Sequence, residues 1–298
     1  MNIHEPLAAS APLAKILADT HCSHSSTDAP GCDWYHGAWQ FFRLLGLINT
    51  ICSDDDFFAR VLPAFCRDSQ QHILISGAAD YALLARIAAA NADGRGCAPL
   101  ITVLDRCSTP LLLNRWYAEQ FGIPVTVQQA DILRITPRPS YDLVCTHSFL
   151  SFFDAEARGR LVRNWFALLK PGGCVVTAQR VRPQEKHSLI GYKPNQIRDF
   201  GRRARLLATS NFASIGLDPS LAEAMAVGYA SRYTTFAIRS VSELAQLFCQ
   251  AGFVLREFSA PEHPGANDHP GAPQDAASMR WRIVAEKPLC PANSGDLA

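Results

Sequence analysis

The chain has 298 residues, enough for one large α/β domain with additions or for two small ones, and its 48% hydrophobic content is that of a protein with a substantial core. Its 28 basic and 27 acidic side chains give a formal net charge of +1 with no long single-sign run, so the electrostatic footprint of a nucleic-acid binder is missing. No apolar run is long enough to span a bilayer and no basic cluster precedes the first apolar residues, so neither a membrane partner nor a secretory signal is expected, and the expected compartment is the cytoplasm.

Residues 1–70 read as a helical cap ahead of a sheet. The segment up to Pro30 is rich in Ala, Ser, His and Pro and carries no firm pattern, with fraying expected at its start. Asp33 is the expected N-cap of a helix whose broad apolar face is Trp34, Tyr35, Ala38, Trp39, Phe42 and Leu45. Tyr35 and Arg43 are the polar members of this stretch and are candidates to reach a neighbouring site. A second helix is expected over DDDFFARVLPAFC, whose acids suit a helix N-terminus.

The chain then changes rhythm. Ile73, Leu74 and Ile75 form a strand-type run that ends in the small residues Ser76, Gly77, Ala78 and Ala79, and a helical pattern starts at Tyr81. Gly77 can take a positive φ at little cost, and the small residues allow the backbone to approach a ligand. After the turn-rich connection ADGRGCAPL come ITVLD, a helix from Ser108 or Thr109 with Pro110 in its first turn and Gly122 at its end, and a third strand over Val125–Gln129. A fourth strand covers Leu143 to Thr146, a helix runs through Leu161, Trp165 and Leu168, and LLKPGG launches a fifth strand, CVVTAQR. Strands alternating with helices predict a doubly wound parallel sheet.

From about 181 to 239 the rhythm stops. This insert carries arginines and the aromatics Tyr192, Phe200, Phe212, Tyr229 and Tyr233, with helical patterns and no strand signal. It reads either as a lid or as packing that covers the sheet edge. The helix VSELAQLFCQAGF, capped by Ser240 or Ser242 with Gly252 at its end, restores the pattern. FVLREFSA and MRWRIVAEK then read as an antiparallel closing pair around a Pro/Gly-rich loop.

Ten dispersed cysteines, among them Cys145, Cys174 and Cys249 in apolar patterns, read as free buried thiols. His21, Cys22, His24, Cys32 and His36 put soft ligands in a short span. Their spacing matches none of the paired zinc patterns, so no metal is assigned there.

Three polar sites fall at successive strand ends: the Gly77–Tyr81 loop, Asp105 and Asp131. An acid after the second strand can accept from both hydroxyls of a ribose. An acid after the third can accept from an adenine amino group, with the Ile132 N–H donating to a ring nitrogen. A pyrophosphate prefers a G-x-G-x-x-G loop of N–H donors, whereas this loop has one glycine and an added acid, Asp80, that would repel it. S-adenosylmethionine, which carries a sulfonium and an ammonium, suits such a loop better.

The run ILISGAADY, TVLD, QQADI, YDLVCTHSF, LLKPGG resembles the class I S-adenosylmethionine-dependent methyltransferases over roughly residues 71–287, the insert excepted. The resemblance implies a Rossmann-like α/β fold with a mainly parallel seven-stranded sheet, residues 71–298 being the catalytic domain behind the cap. It implies cofactor contacts from Gly77, Ala78 and Ala79, from Asp105 with Arg106 beside it, from Asp131 with Ile132, and from Thr146 and Ser148. Ile75 stands where the family often has an acid, and Ala79 and Tyr81 where it has further glycines; Asp80 is a candidate replacement for the missing carboxylate near the ammonium.

His147 is the candidate general base for an O or N nucleophile, or else a lining residue of the cofactor pocket. Tyr35, Arg43, Tyr192, Tyr229 and Tyr233 are candidate acceptor contacts. The Asn/Asp-Pro-Pro-Tyr motif of base-modifying enzymes is absent, which argues against nucleic acid. The expected function is methylation of a small molecule, with secondary metabolism as a candidate setting. The alternatives are a protein that binds the same cofactor without methyl transfer, and a nicotinamide-dependent oxidoreductase. A homodimer is left open.

Overall fold

The computed structural model describes residues 3–23, 31–48, 51–91, 98–211, 215–260 and 278–289. His24, Phe212, residues 92–97 of the turn-rich connection and the loop of residues 261–277 lie outside the described residues.

Three N-terminal helices, α1 (Leu7–His21), α2 (Asp33–Leu44) and α3 (Asp55–Val61), precede the sheet. The alternating part follows: β1 (His72–Ser76), α4 (Ala82–Asn91), β2 (Leu100–Asp105), α5 (Ser108–Phe121), β3 (Val125–Gln129), β4 (Tyr141–His147), α6 (Ala155–Leu168) and β5 (Leu169–Val181). The insert contains β6 (Leu189–Gly191), α7 (Pro194–Ser210), α8 (Pro219–Arg232) and β7 (Thr234–Phe236). The chain closes with α9 (Val241–Gln250), β8 (Val254–Ser259) and β9 (Met279–Glu286).

Seven strands form one sheet in the order β3-β2-β1-β4-β5-β9-β8. The pairs from β3 across to β5 are parallel, and β9 lies antiparallel between β5 and β8. That last placement separates the topology from the all-parallel 3-2-1-4-5-6 sheet of dinucleotide-binding folds. Strand order reverses between β1 and β4, so a crevice opens at the carboxyl ends of these strands.

The central strands read as continuous apolar runs because both sheet faces are covered. Successive residues point to opposite faces: Ile73 and Ile75 of β1 with Leu143 and Cys145 of β4 join the core under α3 and α4, whereas Leu74 and Val144 join the core around α6 and α9. Each such fully buried side chain contributes roughly 1.5–3 kcal/mol. On the second face, buried Trp165 of α6 donates its indole N–H to Ser76 Oγ (2.9 Å) at the end of β1. A third cluster joins α2 to α7 and α8 through Phe42, Phe200 and Tyr229, so cap and insert pack on each other.

Several local expectations are corrected. The segment before Pro30 contains a regular helix, α1, whose buried face is Ser10, Ala11, Ala14 and Ala18. Asp33 is the first helical residue, and Cys32 occupies the cap position with no side-chain cap bond. The stretch after it is broken into 3-10 turns on either side of α3, with Pro63 in the second. β5 begins at Leu169, ahead of the glycines. The insert holds a strand pair after all, β6 with β7, three residues each and antiparallel. Cys249 is exposed, while Cys145 and Cys174 are buried. Ser240 is the cap of α9, its Oγ accepting from the Glu243 N–H (2.9 Å).

Candidate functional site

β1 ends at Ser76, and Gly77 turns the chain with φ +73°. A Cβ at that position would overlap the Phe149 ring, so this glycine is required by a close approach of the segment after β4 as well as by its φ. Ser148, next to Phe149, is the one non-glycine with positive φ (53°) among the described residues. A side chain held in the left-handed region marks a position fixed by its surroundings. Both turns, with Asp105 at the end of β2, border a cavity of about 480 Å³ at the carboxyl edge of the sheet. Its size lies within the roughly 300–1,000 Å³ that small-molecule sites occupy.

Asp105 is held in place by backbone donors. Its Oδ2 accepts from the Ala78 N–H (2.9 Å) and its Oδ1 from the Cys107 N–H (2.8 Å). No Lys or Arg among the described residues pairs with it, and burial pushes its carboxyl above the usual range. Each oxygen retains a second lone-pair site, so the pair of hydroxyls of a ribose can still be accepted.

Asp80 behaves differently from the sequence expectation. It is buried, and its Oδ2 accepts from Arg43 Nη1 (2.7 Å) while Oδ1 accepts from the Ala82 N–H (2.8 Å) at the start of α4. Arg43 Nη2 donates to Glu5 (2.6 Å). The acid is thus neutralised by the cap and serves the loop, which removes it as a free charge that selects a cationic cofactor. Tyr81 points the other way, its hydroxyl 2.8 Å from Ser10 of α1 and its ring stacked on Tyr117.

His147 lies at the end of β4 and borders the cavity. Its Nε2 is 3.0 Å from Asp54 Oδ2 and 3.2 Å from Arg280 Nη1, which also donates to Asp54 (2.7 Å). Burial, and then the Arg280 charge, outweigh the Asp54 hydrogen bond and bring the imidazole down to about 4. Asp54 is held well below the usual carboxylate range by the His147 hydrogen bond and by the charge and hydrogen bond of Arg280, against the opposing effect of burial. His147 is therefore neutral at pH 7, and with so low a pKa its proton affinity is poorly matched to general-base work there.

The opposite wall is aromatic and cationic. Tyr35 stacks on Trp39 (5.1 Å between centroids) and on Tyr229 (5.9 Å), and Tyr229 stacks on Tyr233 (5.1 Å). Burial raises the phenols of Tyr35, Tyr229 and Tyr233, so they are uncharged at neutral pH. Arg180 and Arg182, from β5 and just beyond it, also line the cavity. No carboxylate among the described residues pairs with Arg180, and burial with the charges of Arg280 and Arg182 brings it down to about 10.

Of the residues singled out from sequence, Gly77, Ala78, Ala79, Asp80, Asp105, His147, Ser148, Tyr35, Arg43, Tyr229 and Tyr233 meet at this cavity. Five stand outside its wall. Arg106 is exposed and lies 4.0 Å from Asp131, which also pairs with Arg134 (3.7 Å) and accepts from the Leu133 N–H (2.9 Å). Ile132 and Thr146 are buried, and Thr146 Oγ1 has no hydrogen-bond partner among the described residues. Tyr192 stacks on Phe200 behind the wall. The sequence reading missed Arg180, Arg182, Phe149 and the Asp54–Arg280 pair; only the apolar run CVVTAQR leading into two arginines hinted at the first two.

No family model matches the sequence, and no curated protein matches it. Solved structures are similar in fold. One is a candidate sarcosine dimethylglycine methyltransferase from Galdieria sulphuraria, 12% identical over 80% of this chain and 86% of that one, with a TM-score of 0.50. An O-methyltransferase family protein from Burkholderia thailandensis is 12% identical over 86% and 61% of the two chains, again with a TM-score of 0.50. A protein from Bordetella parapertussis described as a candidate exported protein is 16% identical over 93% and 79%, at 0.50. The chain has the fold of the class I S-adenosylmethionine-dependent methyltransferases.

Proposed function

We propose that the protein is an S-adenosylmethionine-dependent methyltransferase whose acceptor is a small molecule bearing an O or N nucleophile and an anionic group. The observation that carries this reading is a single cavity with two unlike walls. One wall is the Gly77–Asp80 turn with Asp105, and the other is the aromatic stack with Arg180.

The residues fit the cofactor at Asp105, whose carboxylate has no Lys or Arg partner among the described residues and keeps acceptor capacity for a ribose, and at Gly77, where the turn backbone is exposed to the cavity. When bound, the cofactor supplies an electrophilic methyl group on a sulfonium. The Tyr35, Tyr229 and Tyr233 rings give a flat apolar surface to orient an acceptor, and orientation in line with the methyl group is a large part of what such a displacement needs. Arg180 would pair with the acceptor's anionic group and so offset its own burial beside two other arginines. His147, neutral and tethered to Asp54 and Arg280, would position the acceptor rather than remove its proton.

The test is transfer of an isotopically labelled methyl group to a panel of small aromatic hydroxy and amino acids and to their uncharged amides. Transfer to the acids, with Arg180→Gln raising KM about tenfold for them and leaving cofactor affinity unchanged, supports the reading; a tenfold change corresponds to about 1.4 kcal/mol. Equal transfer to acids and amides would contradict the role of Arg180. Cofactor binding with no transfer to any acceptor would favour a protein that binds the cofactor without methyl transfer.

A further inference from the structure

We infer that Cys22, Cys32, His36 and Cys107 form a structural zinc site that pins the N-terminal cap to the loop carrying Asp105. The ligand atoms of the four side chains all lie within 4.8 Å of one another. Cys107 Sγ is 3.5 Å from Cys22 Sγ and 3.7 Å from Cys32 Sγ, and Cys22 Sγ is 3.3 Å from His36 Nδ1. A tetrahedral ion with Zn–S bonds of about 2.3 Å places its thiolates roughly 3.8 Å apart, and a Zn–N bond of about 2.0 Å shortens the sulfur–nitrogen edges. These three edges are close to those lengths, and the remaining ones are no longer than 4.8 Å. They are far longer than the roughly 2.05 Å of a disulfide, so the sulfurs stand as separate thiols.

The donor set selects the ion. Three thiolates and an imidazole are soft ligands that disfavour calcium and magnesium, and four protein ligands close the coordination sphere as structural zinc sites do. The edges leave room for a single ion and not for a cluster whose thiolates sit on separate irons.

The fold brings these ligands together from three helix ends. Cys22 follows the last turn of α1, Cys32 and His36 stand one turn apart at the start of α2, and Cys107 caps the start of α5. Two of these are helix N-termini, whose dipoles favour the thiolate form. The Thr109 hydroxyl lies 3.1 Å from Cys22 Sγ and can donate to it. Binding would release the protons held by the thiols and by the imidazole to solvent and leave zinc with three thiolates and a neutral imidazole. The Cys107 N–H holds Asp105, so the site fixes one of that carboxylate's two backbone contacts.

The test is metal content and spectroscopy of the full chain, which needs neither cofactor nor acceptor and therefore fails or succeeds apart from the proposed activity. The chain purified under reductant should carry one zinc, released stoichiometrically by a thiol-modifying mercurial. Exchange with Co²⁺ should give thiolate-to-metal charge transfer in the near ultraviolet and the intense visible bands of a tetrahedral site. Cys107→Ser and Cys22→Ser should each lower zinc retention at least tenfold, with Cys249→Ser, on the exposed face of α9, retaining it. The inference is overturned if the reduced wild-type chain neither retains zinc nor gives the charge-transfer band when Co²⁺ is added. It is equally overturned if peptide mapping of that chain finds any two of the three cysteines joined as a disulfide.

Discussion

The two walls of the cavity are built by different means. The sheet-edge wall consists of short turns whose polar groups are fixed by backbone N–H donors, as at Asp105. The opposite wall consists of side chains from α2, β5 and the insert, fixed by ring stacking and by buried charges. A wall held by the backbone changes little with side-chain identity, whereas a wall of stacked rings can be reshaped by single substitutions. In the proposed division of labour, the first suits a constant cofactor and the second an acceptor.

The contrast can be broken most strongly where the two walls meet. Arg43→Met removes the cation between Asp80 and Glu5, both buried or nearly so. Glu5 keeps its ion pair with Arg86 (3.4 Å), but Asp80 loses its cation, and leaving a buried carboxylate so costs about 3–5 kcal/mol, a loss that chemical denaturation should show. Asp80→Asn keeps the shape but can accept from only one of Arg43 and the Ala82 N–H; it should cost less, since Arg43 retains Glu5.

Asp105→Ala acts on the sheet-edge wall alone. Loss of hydrogen bonds to a charged acceptor should weaken cofactor binding by about 2–3 kcal/mol, roughly 30- to 150-fold, and because the Ala78 and Cys107 N–H groups lose their acceptor the melting temperature should fall as well. Calorimetry on the variant measures the first and a thermal scan the second.

Acid should act on the His147 network. The folded imidazole, at about 4, lies below its unfolded value near 6.5, so the unfolded chain binds more protons between these limits. Stability is fully present above about pH 6.5 and falls by about 2–3 kcal/mol as pH drops toward 4. Asp54, whose folded pKa is also depressed, loses its contribution only at lower pH. Urea unfolding at intervals between pH 7 and 4.5 should show this decline, and His147→Asn should flatten it; a flat wild-type profile would contradict the assignment. The smallest effect is expected from Ser148→Gly, which relieves a left-handed residue and should raise stability by about 0.5–1 kcal/mol net of the added chain entropy.

The same division describes what the sequence made readable. The strands and Asp105 were legible because a parallel sheet buried on both faces writes itself as apolar runs ended by small or acidic residues. α1 was not, since its buried face is Ser and Ala, with Pro12 inside the helix, and leaves no large apolar stripe. The three-residue strands β6 and β7 are too short to show an alternation. Asp80 was legible as an acid but not as a neutralised one, because Arg43 lies 37 positions away. The soft-ligand cluster looked unpaired because Cys107 stands 85 positions after Cys22, while His21 is no part of it. Spacing rules detect ligands that share a local element, and here three helix ends have to meet first.

Binding of S-adenosylmethionine in this cavity is tested most directly by calorimetric titration of the purified chain with S-adenosylmethionine, its demethylated product and NADH in parallel. Affinities on the order of micromolar are expected for the first two, and no heat of binding for NADH. Binding of NADH without the other two would contradict this and move the chemistry of this cavity to hydride transfer.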